Sequence, residues 1–132
     1  MNSNEILSIL EENNLSEIEE LRSEEGLLLV KFYFDFDKDV LAAAKAYAND
    51  ESDYEEQSSE WSTEYFIPYL YDYANDEVLS IIEDIVEDCD VSGEMMAFQI
   101  DSNNSNFVQF MALFTEEDNN IAIEDVVKDF IC

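Results

Sequence analysis

Apolar residues recur along this chain with two different periods, and the places where the period changes mark out its elements. In residues 4–13 and 16–24, Ile6, Leu7 and Leu10, then Ile18 and Leu21, fall three and four apart, which predicts two short helices. Gly26 punctuates, and "LLLVKFYFDF" then alternates, with Leu28, Val30, Phe32, Phe34 and Phe36 on one side. That is the clearest strand, and Lys31, Tyr33 and Asp35 on its other side predict a wet face. "DKDVLAAAKAYAND" follows as a helix with Asp37 as its N-cap. The run 50–60 reads as a mobile acidic loop. Helical segments are expected at about 61–74 and 76–88, the second burying Val78, Ile81, Ile82, Ile85, Val86 and Cys89. Pro68 should end or bend the first segment unless it lies in a first turn. Gly93 suggests a left-handed turn after the second. "EMMAFQI" and "FVQFMALF" form a hairpin through "DSNNSN", and Ile123, Val126, Val127 and Phe130 line a closing helix. The pattern predicts one α+β domain over 1–132. Its small, mostly antiparallel sheet has one strand near 27–36 and a hairpin near 94–114, covered on one face by helices.

Charge changes the picture more than any motif. Asp and Glu number 34 against five basic residues, Arg22, Lys31, Lys38, Lys45 and Lys128, giving a net charge of −29. Such a chain repels itself when compact and repels nucleic acid and anionic membrane surfaces, but attracts cationic surfaces and metal ions. Salt adaptation would explain the acidity only weakly, because the chain stays rich in Ile, Phe, Asn and Ser. The start "MNSNEILSIL" lacks the basic-then-apolar pattern of a signal peptide, and no run is long enough for a membrane span, so a cytoplasmic location is expected. Cys89 falls on an apolar helical face as a core residue, and Cys132 reads as a free thiol.

The chain has no histidine, which removes the commonest general base and the usual zinc ligand. Its two glycines, Gly26 and Gly93, cannot build a phosphate-cradling loop. A carboxylate pair could still support hydrolysis of a glycoside, although 34 carboxylates make chance pairs abundant. "EDCDVSGEMMAFQ" begins like a calcium loop, with Asp88, Asp90, Ser92 and Gly93 at positions 1, 3, 5 and 6. Gln99 stands where the bidentate glutamate belongs, so Asp88, Asp90, Ser92 and Glu94 are candidate ligands for Ca or Mg beside the simpler reading of a helix end. "FDFDKDV" has Val40 in place of the glycine and reads as a strand end and a cap.

The arrangement of acid on the helices is more informative. Glu83, Asp84, Glu87 and Asp88 lie opposite the apolar stripe of their segment, and one helical turn of about 5.4 Å is comparable with phosphate spacing along a strand. Upstream, Trp61, Tyr65, Tyr69 and Tyr73 recur four apart, flanked by Glu60, Glu64 and Asp72. Aromatics beside carboxylates suit an Arg-rich partner. Trp61 and Tyr65 are equally open to a place in the core.

"FYFDFDKDVLAAAKAYANDES" and "EYFIPYLYDYANDEV" resemble a family of small acidic proteins of cyanobacteria whose function is unassigned. The resemblance covers the middle half of the chain and carries no catalytic motif. It implies a soluble, cytoplasmic, one-domain protein.

These readings converge on a non-enzymatic acidic protein that docks a basic partner, as a nucleic-acid mimic, inhibitor or immunity-type protein. Glu60, Trp61, Glu64, Tyr65, Asp72, Glu83, Asp84, Glu87 and Asp88 are the expected contact residues. A divalent-cation protein using the loop 88–94 and a carboxylate-pair hydrolase are the alternatives.

Overall fold

A computed structural model of the chain describes residues 2–13, 15–98, 100, 106–116 and 122–131, with side chains omitted at 127 and 129–131. The segment 101–105, Gln99, Cys132 and the side chains of Val127 and Phe130, on which some expectations fall, lie outside the described residues.

The fold is α+β, with a four-stranded antiparallel sheet at its centre. Helix α1 (Ser3–Glu12) is followed by β1 (Ser16–Glu24), β2 (Leu27–Asp35) and α2 (Lys38–Glu51). A short turn α3 (Ser59–Trp61), a π-helical segment Ser62–Phe66 and α4 (Ile67–Cys89) then run without a break. Strands β3 (Ser92–Ala97) and β4 (Phe107–Thr115) and helix α5 (Ile123–Ile131) close the chain. The strand order is β1-β2-β4-β3, so β4 returns to the middle and pairs along the whole of β2, from Leu27 opposite Thr115 to Asp35 opposite Phe107.

The segment 16–24, expected to be helical, is a strand. Ile18 and Leu21 are three apart, and on an alternating strand an odd spacing sends two side chains to opposite faces. Ile18 packs with the core under the helices, and Leu21 with a second core on the other side of the sheet. Each apolar residue is therefore used, but not on one helical stripe. Two register shifts, between Ser16 and Glu19 and between Glu20 and Arg22, further blur the alternation. Glu24 pairs with Leu27 across a tight turn in which Gly26 takes a φ of 77°, a conformation glycine adopts without steric cost.

The two faces of the sheet are both covered, unequally. Leu28, Val30, Phe32, Phe110, Ala112 and Phe114 face the layer of α1, α2 and α4. On the other face Leu27, Leu29, Met111 and Leu113 are sealed by Ile123 and Val126 of α5. The wet face expected from Lys31, Tyr33 and Asp35 is confined to the half of β2 that α5 does not reach. Among the described residues, Lys31 pairs with Glu19 at 3.2 Å, and Arg22 with Glu24 at 3.0 Å within β1.

Pro68 neither ends nor splits the long helix. The Ile67 N–H donates to the Ser62 carbonyl, five residues back, and Pro68 follows in the first turn of α4. Proline lacks the N–H that would bond at i−4 and its ring strikes that carbonyl, so a locally wider π turn admits it where a regular turn would kink. Asn75 and Asp76 do not interrupt the helix either. The run expected as a mobile loop is shorter than 50–60, because Asp50 and Glu51 finish α2 and Ser59 and Glu60 open α3. Asp37 caps α2 as expected, its Oδ1 accepting from the Val40 N–H at 2.9 Å.

Candidate docking surface

Helix α4 buries Leu70, Ala74, Val78, Ile82 and Ile85, and that one choice fixes which side chains point outward. Tyr69, Asp72, Asp76, Ser80, Glu83 and Glu87 follow one another three or four residues apart on the opposite side, with Tyr73 beside Asp72. Asp72, Asp76, Glu77, Glu83, Asp84, Glu87 and Asp88 are exposed, and Glu60 and Glu64 extend the acid into the preceding turns. From Ser59 to Cys89 there is no Lys or Arg. Among the described residues, no carboxylate of α4 forms an ion pair; the two pairs above lie on β1 and β2. From Tyr69 to Glu87 the stripe is about 27 Å long at the usual helical rise.

The expected aromatic anchors divide. Trp61 belongs to the core, 1% exposed, stacked on Phe66 at 4.9 Å, its indole N–H donating to Asn49 Oδ1 at 3.0 Å. It cannot serve as a surface anchor. Its periodicity with Tyr65 and Tyr69 misled because the π turn shifts the helical phase between Trp61 and Ile67. Tyr65 is half-buried beside the exposed Tyr54, ring centres 6.4 Å apart.

Further along, Tyr47 of α2 meets Tyr69 of α4, their ring centres 5.2 Å apart and tilted by 34°. Together with Pro68, Asp72, Tyr73 and Asp76 they line a cavity of about 340 Å³ between the two helices. Tyr47 and Asp76 were not expected at the site. Tyr47 is an isolated aromatic in an alanine-rich helix, and its 42% exposure beside the buried Ala44 and Ala48 is the signal that sets it apart.

Two tyrosines hold their protons more tightly than usual. Burial raises the Tyr73 phenol above 10.0, assisted by Glu77, Asp37 and Tyr69. For Tyr54 the Glu64 carboxylate is the largest cause, followed by burial and Glu60. Between the unfolded and folded values the native state keeps protons that the unfolded chain has lost. Stability from these groups is thus complete below pH 10 and declines as pH rises through the raised values. An alkaline titration of phenolate absorbance should show two of the seven tyrosines lagging. Added salt should bring Tyr54 back more than Tyr73, because charge dominates the first and burial the second. All seven ionising together would contradict this.

The proposed calcium ligands do not converge. Asp88 lies in the last turn of α4, and Asp90, not Gly93, takes the left-handed turn after the helix, with φ 54° and ψ 53°. Gly93 lies in β3, where a Cβ would stand 2.9 Å from Ile82 Cγ2 and 3.0 Å from Val86 Cγ2, so close approach of strand to helix explains the glycine. Glu94 points to the other face of the sheet, its Oε2 accepting from the Ile123 N–H at 2.7 Å and so capping α5. Among the described residues, no group of three or more Asp, Glu, Cys or His is placed to hold a metal. Glu94→Ala should lower stability by about 0.5–2 kcal/mol, the usual worth of such a cap, in urea unfolding. An unchanged midpoint would mean that the cap contributes nothing.

Carboxylates also meet at a second cavity of about 330 Å³ on the uncovered part of the sheet, lined by Ser16, Glu17, Tyr33, Asp35 and Phe107. There the Ser16 hydroxyl donates to Asp35 Oδ2 at 2.6 Å. Glu17, Asp35, Asp72 and Asp76 are all exposed, without the burial that turns one member of a glycosidase pair into an acid. Cys89 is half-buried against the helical core, and burial, then Glu5 and Asp88, raises its thiol pKa, which disfavours a nucleophile. No helix among the described residues is long and apolar enough to cross a membrane. Comparison with protein-family models, with curated proteins and with solved structures finds no match for this chain.

Proposed function

We propose that this chain is a non-enzymatic, strongly acidic binding protein that docks a basic protein on the outer stripe of α4. It would act in the cytoplasm as a nucleic-acid mimic, an inhibitor or an immunity-type protein, covering a partner surface that otherwise meets phosphate. One observation carries the reading: a long exposed helical face holds Asp72, Asp76, Glu83 and Glu87, interrupted at Ser80, and has no cation of its own. An ordinary solvated helix mixes both signs to gain i,i+4 pairs, whereas like charges at that spacing cost about 0.2–0.5 kcal/mol per pair. A partner's lysines and arginines would relieve that repulsion, so charge would speed association and make it salt-sensitive. Glu83, Asp84, Glu87 and Asp88 supply the array, Asp72 and Asp76 continue it, and Glu60, Glu64 and Tyr65 border its start.

The test is a pull-down from nuclease-treated lysate of the source cells, eluted with a salt gradient. A basic protein leaving in one narrow salt window is the expected result. A smear of basic proteins, or nothing above background, would reduce the acidity to a solubility feature.

A further inference from the structure

Among the cavities lined by described residues, the one between α2 and α4 differs in what lines it: three tyrosine rings and two carboxylates one helical turn apart, with no cation. The second cavity has its Asp35 already engaged by Ser16. A smaller one, of about 150 Å³ beside Trp61 and Phe66, carries Lys45, which would repel a cation. From this contrast we infer that the Tyr47–Tyr69–Tyr73 pocket seats one arginine side chain of the basic partner. The inference rests on the docking function proposed above and adds the kind of residue that is read.

Geometry selects arginine among cations. Tyr47 and Tyr69 touch, with ring centres 5.2 Å apart, so no slot separates them and they cannot box a quaternary ammonium from several sides. They offer instead a one-sided aromatic wall. A guanidinium is flat and weakly hydrated, so it can stack on a ring while its edges donate to carboxylates. Asp72 and Asp76, on the same stripe of α4, present two acceptors about 5–6 Å apart at their Cβ atoms. A lysine ammonium is a compact, strongly hydrated charge that gains the carboxylates but little from the wall. The Tyr73 side of the pocket also feels Glu77 and Asp37, and no cation acts on that phenol.

The experiment compares oligo-arginine and oligo-lysine peptides of equal length, titrated against the full chain. The wild type should prefer arginine by about fivefold or more, from the stacking contribution. Tyr47→Leu with Tyr69→Leu should erase the preference while leaving oligo-lysine affinity unchanged. Since Tyr69 is partly buried, Tyr47→Leu alone, at an exposed position, provides a second variant and should reduce the preference without disturbing the fold. Glu83→Gln with Glu87→Gln should weaken both peptides equally. Equal affinities in the wild type, or a preference that survives loss of both rings, would overturn the pocket while the acidic face still binds. Failure of both peptides to bind would overturn the docking function itself.

Discussion

Trp61→Ala is expected to lower stability by about 3–5 kcal/mol, the usual range for truncating a buried aromatic residue. The indole is 1% exposed, stacks on Phe66, and lies at the end of α3, where the π turn leads into α4. Its N–H also satisfies Asn49 Oδ1, which in turn sits near the end of α2. Truncation would leave a cavity and remove that bond together. Trp61→Phe should separate the two effects, losing about 0.5–1.5 kcal/mol for the hydrogen bond plus a smaller packing term. Far-ultraviolet circular dichroism in urea is the appropriate measurement, because the chain has no other tryptophan to report. A loss under about 1 kcal/mol would put the indole outside the core and return it to the list of partner contacts.

Neutralising Glu83, Asp84, Glu87 and Asp88 together, by Glu→Gln and Asp→Asn, should move stability the other way. Glu83/Glu87 and Asp84/Asp88 are like-charge pairs four apart and Asp84/Glu87 one three apart, each costing about 0.2–0.5 kcal/mol. Glu87 and Asp88 also stand in the last turn of α4, where a negative charge opposes the helix dipole by about 0.3–1 kcal/mol. A gain of about 1–3.5 kcal/mol is expected, read as a higher urea midpoint. Partner affinity should fall instead. At about 0.2–1 kcal/mol per exposed pair, four lost pairs weaken binding by about 1–4 kcal/mol. Stability and binding moving in opposite directions identifies charge retained for contact. If both fall, the four residues serve the fold. If affinity holds, the contact lies elsewhere.

Much of the fold was legible wherever one period ran cleanly. Leu28 to Phe36 alternate without interruption, and Val78 to Ile85 repeat at helical spacing, so β2 and the body of α4 stand where the pattern puts them. The hairpin of β3 and β4 and the capping of α2 by Asp37 were equally plain. β1 was not legible, because its two apolar residues serve different cores and its pairing slips twice. Leu27 and Leu29 gave no hint of burial by α5, a contact made across a long stretch of sequence. At the candidate site, the carboxylates could be placed from spacing alone, since a solvated face needs only the helix to exist. The pocket could not: it requires Tyr47 of α2 to lie against Tyr69, and no local pattern reports which helices meet. Trp61 failed for the same reason, its fate being set by the π turn and by Asn49 twelve residues earlier.

The most direct measurement sets two equally charged variants side by side in the salt-gradient pull-down. One carries the four neutral residues on α4. The other carries Glu11→Gln, Glu12→Gln, Glu20→Gln and Glu25→Gln, four exposed acids outside that helix, so both reduce the net charge of −29 by four. If α4 is the docking face, the wild type and the second variant should release the basic partner at nearly the same salt concentration, and the α4 variant at a clearly lower one. Equal displacement of both variants would show that only total charge matters, and would contradict a docking face on α4.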